Sequence, residues 1–466
     1  MSADLEKPQK SVDNTTLNPQ VQTSTDLPYH VIGSGVVGLV TAYYLNKKGI
    51  KVEVIDSNQK PCHGTSFANG GLVCQTSFST SPPLFSLIDP NDLNTKITMK
   101  ALDVNFLRFG ISYLKMRMKS ALGLSLSFRK QDYLAESVEL FDEDFRQQKD
   151  FSEAGAYFEK PFHAPLGRIS VHSEVRHRNW LEKLDKYPKM QYKVIDKVAE
   201  LQHGNLIDHD TIELNCDYIV ESETFGKRVC SYLERKGVKF RYSTELSGFE
   251  AQGNKISELL LTKDDKTEKI KTRGVVLATG PNSSSILRKF GYGNIPIIPM
   301  QGHSITYEIT ENDRKYLPKN VPCIQDGQIV HSYFSIFENS YRSSAFGDFV
   351  GFDTEVNVDR VKLLDDVWKK VMPKLDFNNA VAWAGLRPVS ADMHPVIGRD
   401  EKRGFKNVYL NVGHGTLGFS YAFFAGKMVS DAVVRDVLSP QQTIVTRGSE
   451  NGEINPFCPS RFRFFE

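Results

Sequence analysis

The chain has 466 residues, of which 40% are apolar and 24% are charged, and its formal net charge is +2. This length predicts two closely connected domains, and the nearly balanced charge predicts no nucleic-acid partner. The six cysteines form neither a Cys-x-x-Cys pair nor a disulfide framework, and no apolar run is long enough to span a bilayer. We therefore expect a cytoplasmic protein with no transmembrane helix.

Residues 1–27 are rich in Ser, Thr, Asn, Gln, Asp and Pro and offer almost nothing for a core to bury. We predict a disordered tail there. The segment lacks the apolar stretch of a secretory signal peptide, and its acidic residues argue against a transit peptide.

A strand, a glycine-rich turn, a helix and a second strand follow between residues 29 and 56. The turn has the sequence Gly33-Ser34-Gly35-Val36-Val37-Gly38. Its glycines permit a tight turn, close approach of the backbone to a pyrophosphate, and close packing of helix on strand. Asp56 ends the second strand, where a carboxylate accepts hydrogen bonds from an adenosine ribose. This pattern predicts a dinucleotide-binding unit.

The middle of the chain mixes helical and strand patterns. Residues 97–150 are predicted to be helical, and the basic and aromatic stretch 106–130 fits either a packed helical hairpin, which we favour, or a peripheral membrane contact. Alternation typical of antiparallel strands dominates 296–350. The other predicted elements are strands at 167–171, 238–242, 275–278 and 408–411, a polar hairpin at 251–271, and helices at 225–236, 361–371 and 417–438.

This order predicts a discontinuous, Rossmann-like α/β domain that binds the dinucleotide, with an antiparallel-sheet domain inserted into it, so that the whole chain is α+β. The dinucleotide-binding domain would comprise residues 28–96, 190–292 and 384–440. The inserted domain, which would bind the substrate, would comprise residues 97–189 and 293–383. Residues 441–466 would form a C-terminal tail.

Three further segments resemble the FAD-dependent D-amino acid oxidase superfamily. They are Gly-Thr-Ser-Phe-Ala-Asn-Gly-Gly-Leu at 64–72, Trp-Ala-Gly-Leu-Arg-Pro at 383–388 with Pro-Val-Ile-Gly at 395–398, and Gly-His-Gly-Thr-Leu-Gly at 413–418. The last segment, followed by an apolar helix, is most similar to the small, flavin-bearing subunit of bacterial D-amino acid dehydrogenase. The resemblance covers about residues 28–465 and implies that the dinucleotide is noncovalent FAD.

The resemblance also implies a reaction. In this family a hydride passes from the carbon that bears the amine to flavin N5, which gives an imino acid that hydrolyses to a 2-oxo acid and ammonia. We therefore expect oxidative deamination of a small-molecule amino acid, and we favour a D-amino acid. An oxygen-using oxidase of glycine, sarcosine or proline type is the near alternative, and a flavin-binding protein without catalysis is another. The two flavin-type segments weaken a fourth reading, an NAD-dependent dehydrogenase.

The electron acceptor stays open between a quinone, a carrier protein and oxygen, and so does the oligomeric state. The glycine turn and the resemblance together assign one set of residues to the cofactor. This set is Gly33, Ser34, Gly35, Val36, Val37, Gly38, Asp56, Ser57, Thr65, Ser66, Asn69, Gly70, Gly71, Leu72, Leu246, Thr279, Gly280, Gly385, Gly413, His414, Gly415, Thr416, Leu417 and Gly418.

Two residues are catalytic candidates. The resemblance implies that Arg387 binds the substrate carboxylate, which a guanidinium does through two parallel hydrogen bonds. Gln301 and His303 stand where the closest relatives have lysine and tyrosine, and Ser343 and Ser344 stand where they have glycines. His303 titrates near neutrality, so it is a candidate for accepting the proton of the substrate ammonium, with a structural role as the alternative. No cluster has metal-ligand spacing, and we expect no metal.

Overall fold

The computed structural model describes residues 27–75, 93–121, 130–147, 168–171, 174–186, 192–195, 211–214, 217–318, 322–326, 330–400, 404–438, 447–448 and 453–462. The predicted N-terminal tail, except for residue 27, and residues 122–129 of the basic stretch lie outside these ranges.

The strands are β1 (Tyr29–Ile32), β2 (Val52–Ile55), β3 (Leu72–Val73), β4 (Arg168–Val171), β5 (Tyr192–Ile195), β6 (Thr211–Leu214), β7 (Tyr218–Ile219), β8 (Lys239–Arg241), β9 (Glu245–Gln252), β10 (Lys255–Lys263), β11 (Lys266–Lys271), β12 (Gly274–Leu277), β13 (Ile297–Glu308), β14 (Cys323–Asp326), β15 (Tyr333–Ile336), β16 (Ser340–Asp348), β17 (Val381–Ser390), β18 (Val396–Gly398), β19 (Val408–Val412), β20 (Arg447–Gly448) and β21 (Glu453–Ile454). The helices are α1 (Val36–Lys47), α2 (Val104–Ala121), α3 (Lys130–Phe141), α4 (Glu174–Leu184), α5 (Ser222–Arg235), α6 (Ser283–Lys289), α7 (Val358–Val371) and α8 (Gly418–Leu438).

The first large sheet has the strand order β18-β19-β12-β1-β2-β8, and every pair in it is parallel except β18 with β19. Strands β1, β12 and β19 in its centre are short apolar runs that are buried along their length, as expected where a sheet is covered on both faces. Helices α1, α3, α5 and α8 share one core with one face of this sheet. The sheet β9-β10-β11 and helix α6 cover the other face.

The second large sheet has the order β17-β13-β16-β15-β14-β4-β6-β5 and is antiparallel except for the pair β4 and β14. Strand β13 is its longest member and pairs with β16 on one side and β17 on the other. Helix α7 packs on this sheet through the fully buried Trp368. The two sheets together confirm the predicted α/β class with an antiparallel domain.

The domain boundaries differ from the predicted ones at two places. Strands β5 and β6, which lie within the predicted segment 190–292 of the dinucleotide-binding domain, pair with each other and with β4 in the antiparallel sheet. Helix α3, predicted to belong to the inserted domain, buries Leu134 and Phe141 in the core that α1 and α8 share. Such pairings depend on long-range contacts, which short strands and an amphipathic helix do not reveal by themselves.

The C-terminal segment is not a loose tail where it is described. Phe457 is fully buried, and Arg461 forms a two-pronged ion pair with the carboxylate of Asp392, at 2.6 Å and 3.1 Å. Both side chains of this pair are buried, and the Arg461 guanidinium also donates to the carbonyl oxygens of Phe457 and His394. The segment 453–462 therefore closes one side of the fold.

Candidate active site

A cavity of about 1470 Å³ lies between the two large sheets and is lined by residues from both. Of the predicted site residues, only Ser34, Gly38 and Gly413 do not line it. The structure thus brings together segments that the sequence separates by several hundred residues. None of the described helices is long and apolar enough to cross a membrane, and the described residues hold no cluster of potential metal ligands.

The turn between β1 and α1 leaves no room for a side chain at Gly33 or Gly38. A Cβ on Gly38 would lie 1.9 Å from the carbonyl oxygen of Gly33, and one on Gly33 would lie 2.3 Å from the carbonyl oxygen of Ala278. Gly33 also has φ +111°, which L side chains rarely adopt. Gly38 does not line the cavity. It allows α1 to pack closely on the turn, because the Gly33 carbonyl occupies the space that a side chain would need.

Asp56 lines the cavity, but its carboxylate already has four protein donors. One oxygen accepts from the backbone amide and the hydroxyl of Ser34, at 2.5 Å and 2.7 Å, and the other accepts from the backbone and side-chain amides of Asn58, at 2.7 Å and 2.9 Å. A carboxylate offers about four lone-pair positions. A ribose hydroxyl must therefore share Asp56 with these groups. Ser34 does not line the cavity but orients the Asp56 carboxylate by donating to it.

The polar loop 64–72 is tied to its surroundings by its hydroxyl groups. Ser66 accepts from the Val36 amide at 3.2 Å, and Thr65 donates to the carbonyl oxygen of Leu386 on β17. Asn69 accepts from the Gly71 amide at 2.8 Å. These side chains were predicted to contact the cofactor, and all of them line the cavity. Their hydrogen bonds show that they also fix the shape of the wall.

Helix α8 begins at the cavity, preceded by a tight turn at Gly415–Leu417. Its first turn carries no acidic residue, so the positive end of the helix dipole is not neutralised locally. His414 is buried, and its Nε2 atom has no hydrogen-bond partner among the described residues. Burial lowers the pKa of His414 to about 3, so the ring is neutral at physiological pH. An orphaned polar atom at a helix start fits a polar ring system bound here.

Arg387 on β17 is the charged group of the antiparallel domain's part of the cavity. Its guanidinium lies over Gly302 of β13, where a Cβ would come within 2.3 Å of a guanidinium nitrogen. It donates to the carbonyl oxygen of Phe346, and no described carboxylate forms an ion pair with it. Asp348, a carboxylate whose charge acts on Arg387, is paired with Arg360 at 2.5 Å and 2.9 Å. Burial lowers the pKa of Arg387, as expected for a cation that lacks a counter-ion.

Among the described residues, three other than glycine line the cavity with positive φ. These are His331 at +49°, Phe346 at +69° and Met393 at +63°. Such backbone conformations cost free energy and cluster at functional sites. The sequence offered no signal for them, because each depends on the surrounding fold. Phe346 uses this conformation while its carbonyl oxygen accepts from Arg387.

Gln301 and His303, which depart from the relatives, differ in their relation to the cavity. Gln301 does not line the cavity, because its side chain donates to the carbonyl oxygens of Asp353 and Glu355. His303 lines the cavity, but its Nε2 atom accepts from the backbone amide of Asn357 at 3.1 Å. Burial lowers the pKa of His303 to about 4. This bond and this pKa do not favour the proton-accepting role that was predicted for His303.

Gly385 was expected to let the backbone approach the flavin. The indole of Trp383 occupies the space beside it, since a Cβ on Gly385 would lie 1.9 Å from that ring. Both residues line the cavity. A side chain at position 385 would therefore have to displace the Trp383 indole, whether or not a cofactor is bound.

A mostly parallel sheet with a glycine turn, which shares its cavity with an antiparallel sheet, defines a two-domain dinucleotide-binding protein. The chain belongs to the DAO family of FAD-dependent oxidoreductases, whose model matches residues 29–432. This confirms the predicted family and its FAD dependence. The open cradle beside Gly415 and Gly280, where a Cβ would meet nothing, and the orphaned His414 nitrogen fit that cofactor.

Two curated relatives are named D-amino acid dehydrogenase. The one from Granulibacter bethesdensis is 27% identical over 86% of this chain and 94% of its own length. The one from Paramagnetospirillum magneticum is 28% identical over the same shares. Among solved structures, the fold is similar to L-proline dehydrogenase from P. horikoshii, with a TM-score of 0.65, 18% identity and coverage of 94% and 97%. It is also similar to glycine oxidase from Bacillus cereus, with a TM-score of 0.60, 16% identity and coverage of 90% and 96%.

Proposed function

We propose that this FAD-dependent oxidoreductase oxidises an amino acid, above all a D-amino acid, at the carbon that bears the amine. The product would be an imino acid, which water hydrolyses to a 2-oxo acid and ammonia. The observation that carries this proposal is Arg387, a half-buried side chain that lines the cavity and has no carboxylate partner among the described residues. A substrate carboxylate would satisfy it. The names of the two curated relatives support the D configuration.

Bound FAD would supply the two-electron acceptor that no side chain offers. The chain's own residues would do three things around it. Arg387 fixes the distance and the rotation of the carboxylate, because two parallel hydrogen bonds leave a planar group little freedom. The start of α8 stabilises negative charge in the cavity. The buried rings of His303 and His414 stay neutral and add no positive charge that would repel a substrate ammonium.

The substrate ammonium must lose a proton before its carbon can give up a hydride. The low pKa values of His303 and His414 make both rings weak bases. We infer that the proton passes to water, so that turnover rises with pH toward the pKa of the substrate's own amine.

The experiment is anaerobic bleaching of the flavin by a panel of D-amino acids, L-proline, glycine and sarcosine. Bleaching by D-amino acids supports the proposal. Bleaching by glycine, sarcosine or proline alone would favour the alternative, an imino-acid or amine oxidase of this family. A flavin that no member of the panel reduces would favour a protein that binds FAD without catalysis.

We also propose that α2 contacts an anionic membrane surface, where a quinone would accept the electrons. The buried Phe109 and Tyr113 attach one face of α2 to the fold. The opposite face exposes an apolar stripe at helical spacing, and exposed basic side chains accompany it, which suits an anionic lipid surface. The stripe is Leu107 (63% exposed), Ile111 (45%), Leu114 (49%) and Met118 (64%), and the basic residues are Arg108, Lys115 and Arg117.

Co-sedimentation with vesicles tests this contact. The protein should bind vesicles that contain phosphatidylglycerol, and binding should fall sharply in the double variant Leu107→Ser/Met118→Ser. The control is Val358→Ser, an exposed apolar residue on α7. Equal binding of all three proteins would contradict the membrane contact and leave oxygen or a carrier protein as the acceptor.

A further inference from the structure

The segment 351–357, which joins β16 to α7, forms part of the cavity wall. Phe352 and Thr354 line the cavity, and Phe352 is 55% exposed. An aromatic side chain that remains this exposed beside a cavity is available to pack against a ligand. The segment starts at Gly351, which has φ +67° and whose Cβ would lie 2.8 Å from the carbonyl oxygen of Lys100.

Two side chains of β13 hold this segment. The Gln301 amide nitrogen donates to the carbonyl oxygen of Asp353 at 2.9 Å and to that of Glu355 at 3.2 Å. The Asn357 amide donates to Nε2 of His303 at 3.1 Å. Both side chains are almost completely buried, so these bonds are protected from water. Gln301 and His303, which replace the lysine and tyrosine expected from the resemblance, therefore act together on one segment.

The bond from Asn357 requires a neutral His303 ring whose Nε2 atom carries no proton. Three charged groups face the ring: Asp348 on β16, Arg360 on α7 and Arg387 on β17. Burial outweighs the attraction of Asp348 and lowers the pKa of His303 to about 4. The bond is therefore available throughout the physiological pH range.

The described residues that the antiparallel sheet contributes to the cavity include no acidic side chain. A cationic side chain of a substrate would therefore find no counter-ion on this wall. The apolar members of the wall include Met300, Phe346, Trp383 and Leu386, and its polar members include Gln325, His331 and Ser344.

We propose that the segment 351–357 determines specificity, with Phe352 packing against the side chain of the substrate and with Gln301 and His303 holding the segment in place. The substrate is then an amino acid with an apolar side chain, above all an aromatic one. This inference rests on the proposed function, because it takes the substrate carboxylate to be bound by Arg387.

Two carboxylates of different size separate the two proposals. Phenylacetate and acetate are titrated into the FAD-loaded protein, and the change in flavin absorbance reports binding. Phe352→Ala should weaken phenylacetate about tenfold and leave acetate unchanged, whereas Phe352→Tyr should bind both like the wild type. Val358→Ala, which removes an exposed apolar side chain outside the cavity wall, should change neither.

An unchanged affinity of Phe352→Ala for phenylacetate, or an equal loss for both ligands, would overturn the specificity role while carboxylate binding stands. If the wild-type protein binds neither carboxylate, the proposed function fails first. The two failures are therefore distinguishable.

Amide hydrogen exchange tests the holding residues without reference to turnover. His303→Ala should speed exchange across residues 352–357 about tenfold, because the Asn357 amide loses its acceptor. His303→Gln supplies a carbonyl oxygen that can accept the same bond, so its exchange should return toward the wild-type rate. Gln301→Ala should also speed exchange in this segment, because the carbonyl oxygens of Asp353 and Glu355 lose their donor. If His303→Ala does not retain flavin, Gln301→Ala alone decides the test. Unchanged exchange in Gln301→Ala would overturn the holding role.

Discussion

The two ends of the cavity are built differently. At the dinucleotide end, polar groups are paired with one another: Asp56 has four donors from Ser34 and Asn58, and Ser66 accepts from the Val36 amide. At the substrate end, Arg387 lacks a carboxylate partner among the described residues, and Phe346 beside it has positive φ. The Asp56 carboxylate is thus fully hydrogen-bonded by the protein alone, whereas Arg387 is left for a substrate carboxylate to pair with.

This difference indicates which end of the cavity gains more binding free energy from a new polar contact with a ligand. A carboxylate with four donors gains little from one more hydrogen bond, whereas a partly desolvated cation without a counter-ion gains more from an anion. We therefore expect mutations at the dinucleotide end to affect folding and FAD retention, and mutations at the substrate end to affect turnover.

The largest effect is expected at the glycine turn. In Gly38→Val, the new Cβ would lie 1.9 Å from the carbonyl oxygen of Gly33. To relieve this clash, β1 and α1 must separate. We expect the purified variant to show no flavin absorbance and no cooperative thermal unfolding transition. Gly110→Ala on α2, where a Cβ meets nothing, is the control and should keep its flavin. A yellow, cooperatively folding Gly38→Val protein would contradict this account of the turn.

At the substrate end, Arg387→Ala should lower kcat/KM about thousandfold, or about 4 kcal/mol, because two charge-assisted hydrogen bonds to the carboxylate are lost. The flavin should stay bound, as its absorbance would show. Arg387→Lys keeps the positive charge but loses the two parallel donors, so its kcat/KM should lie between those of the wild-type protein and Arg387→Ala. Unchanged catalysis in Arg387→Ala would remove the main support of the proposed function.

The buried pair of Arg461 and Asp392 separates stability from catalysis. Arg461→Ala leaves the Asp392 carboxylate uncompensated, so the free energy of unfolding should fall by about 3 kcal/mol in urea titrations. Arg314→Ala is the control, since Arg314 pairs at 3.7 Å with the exposed Glu311 and should change stability by less than about 0.5 kcal/mol. Similar losses in the two variants would mean that burial of the pair contributes nothing.

The pH dependence of stability is a smaller effect. His303 has its pKa lowered from 6.5 to about 4 in the folded protein, so the unfolded chain binds more protons between these values. Its contribution to stability is complete above pH 6.5 and is lost as the pH falls toward 4, at about 1.4 kcal/mol per pH unit. Between pH 7 and 4.5, the free energy of unfolding from urea titrations should fall less steeply with decreasing pH for His303→Gln than for the wild-type protein.

Glycine spacing, Asp56 and the apolar α8 carry local signals, so most residues that line the dinucleotide end of the cavity could be named from the sequence, and their contact with FAD stays a prediction. The substrate end was predictable only in Arg387. The direction of the Gln301 side chain depends on an irregularity in the pairing of β13 with β16, between Gln301 and His303, and that register is set by the whole sheet. The positive φ of Met393 likewise has no local signature.

The ion pair of Arg461 with Asp392 has a consequence for the timing of assembly. Met393, next to Asp392, lines the cavity, and the Arg461 guanidinium also binds the carbonyl oxygen of His394 on its other side. During translation, the segment that carries Gly33 emerges long before the segment that carries Arg461. A nascent chain therefore lacks the contact that holds residues 392–394 beside the cavity until residue 461 has been synthesised.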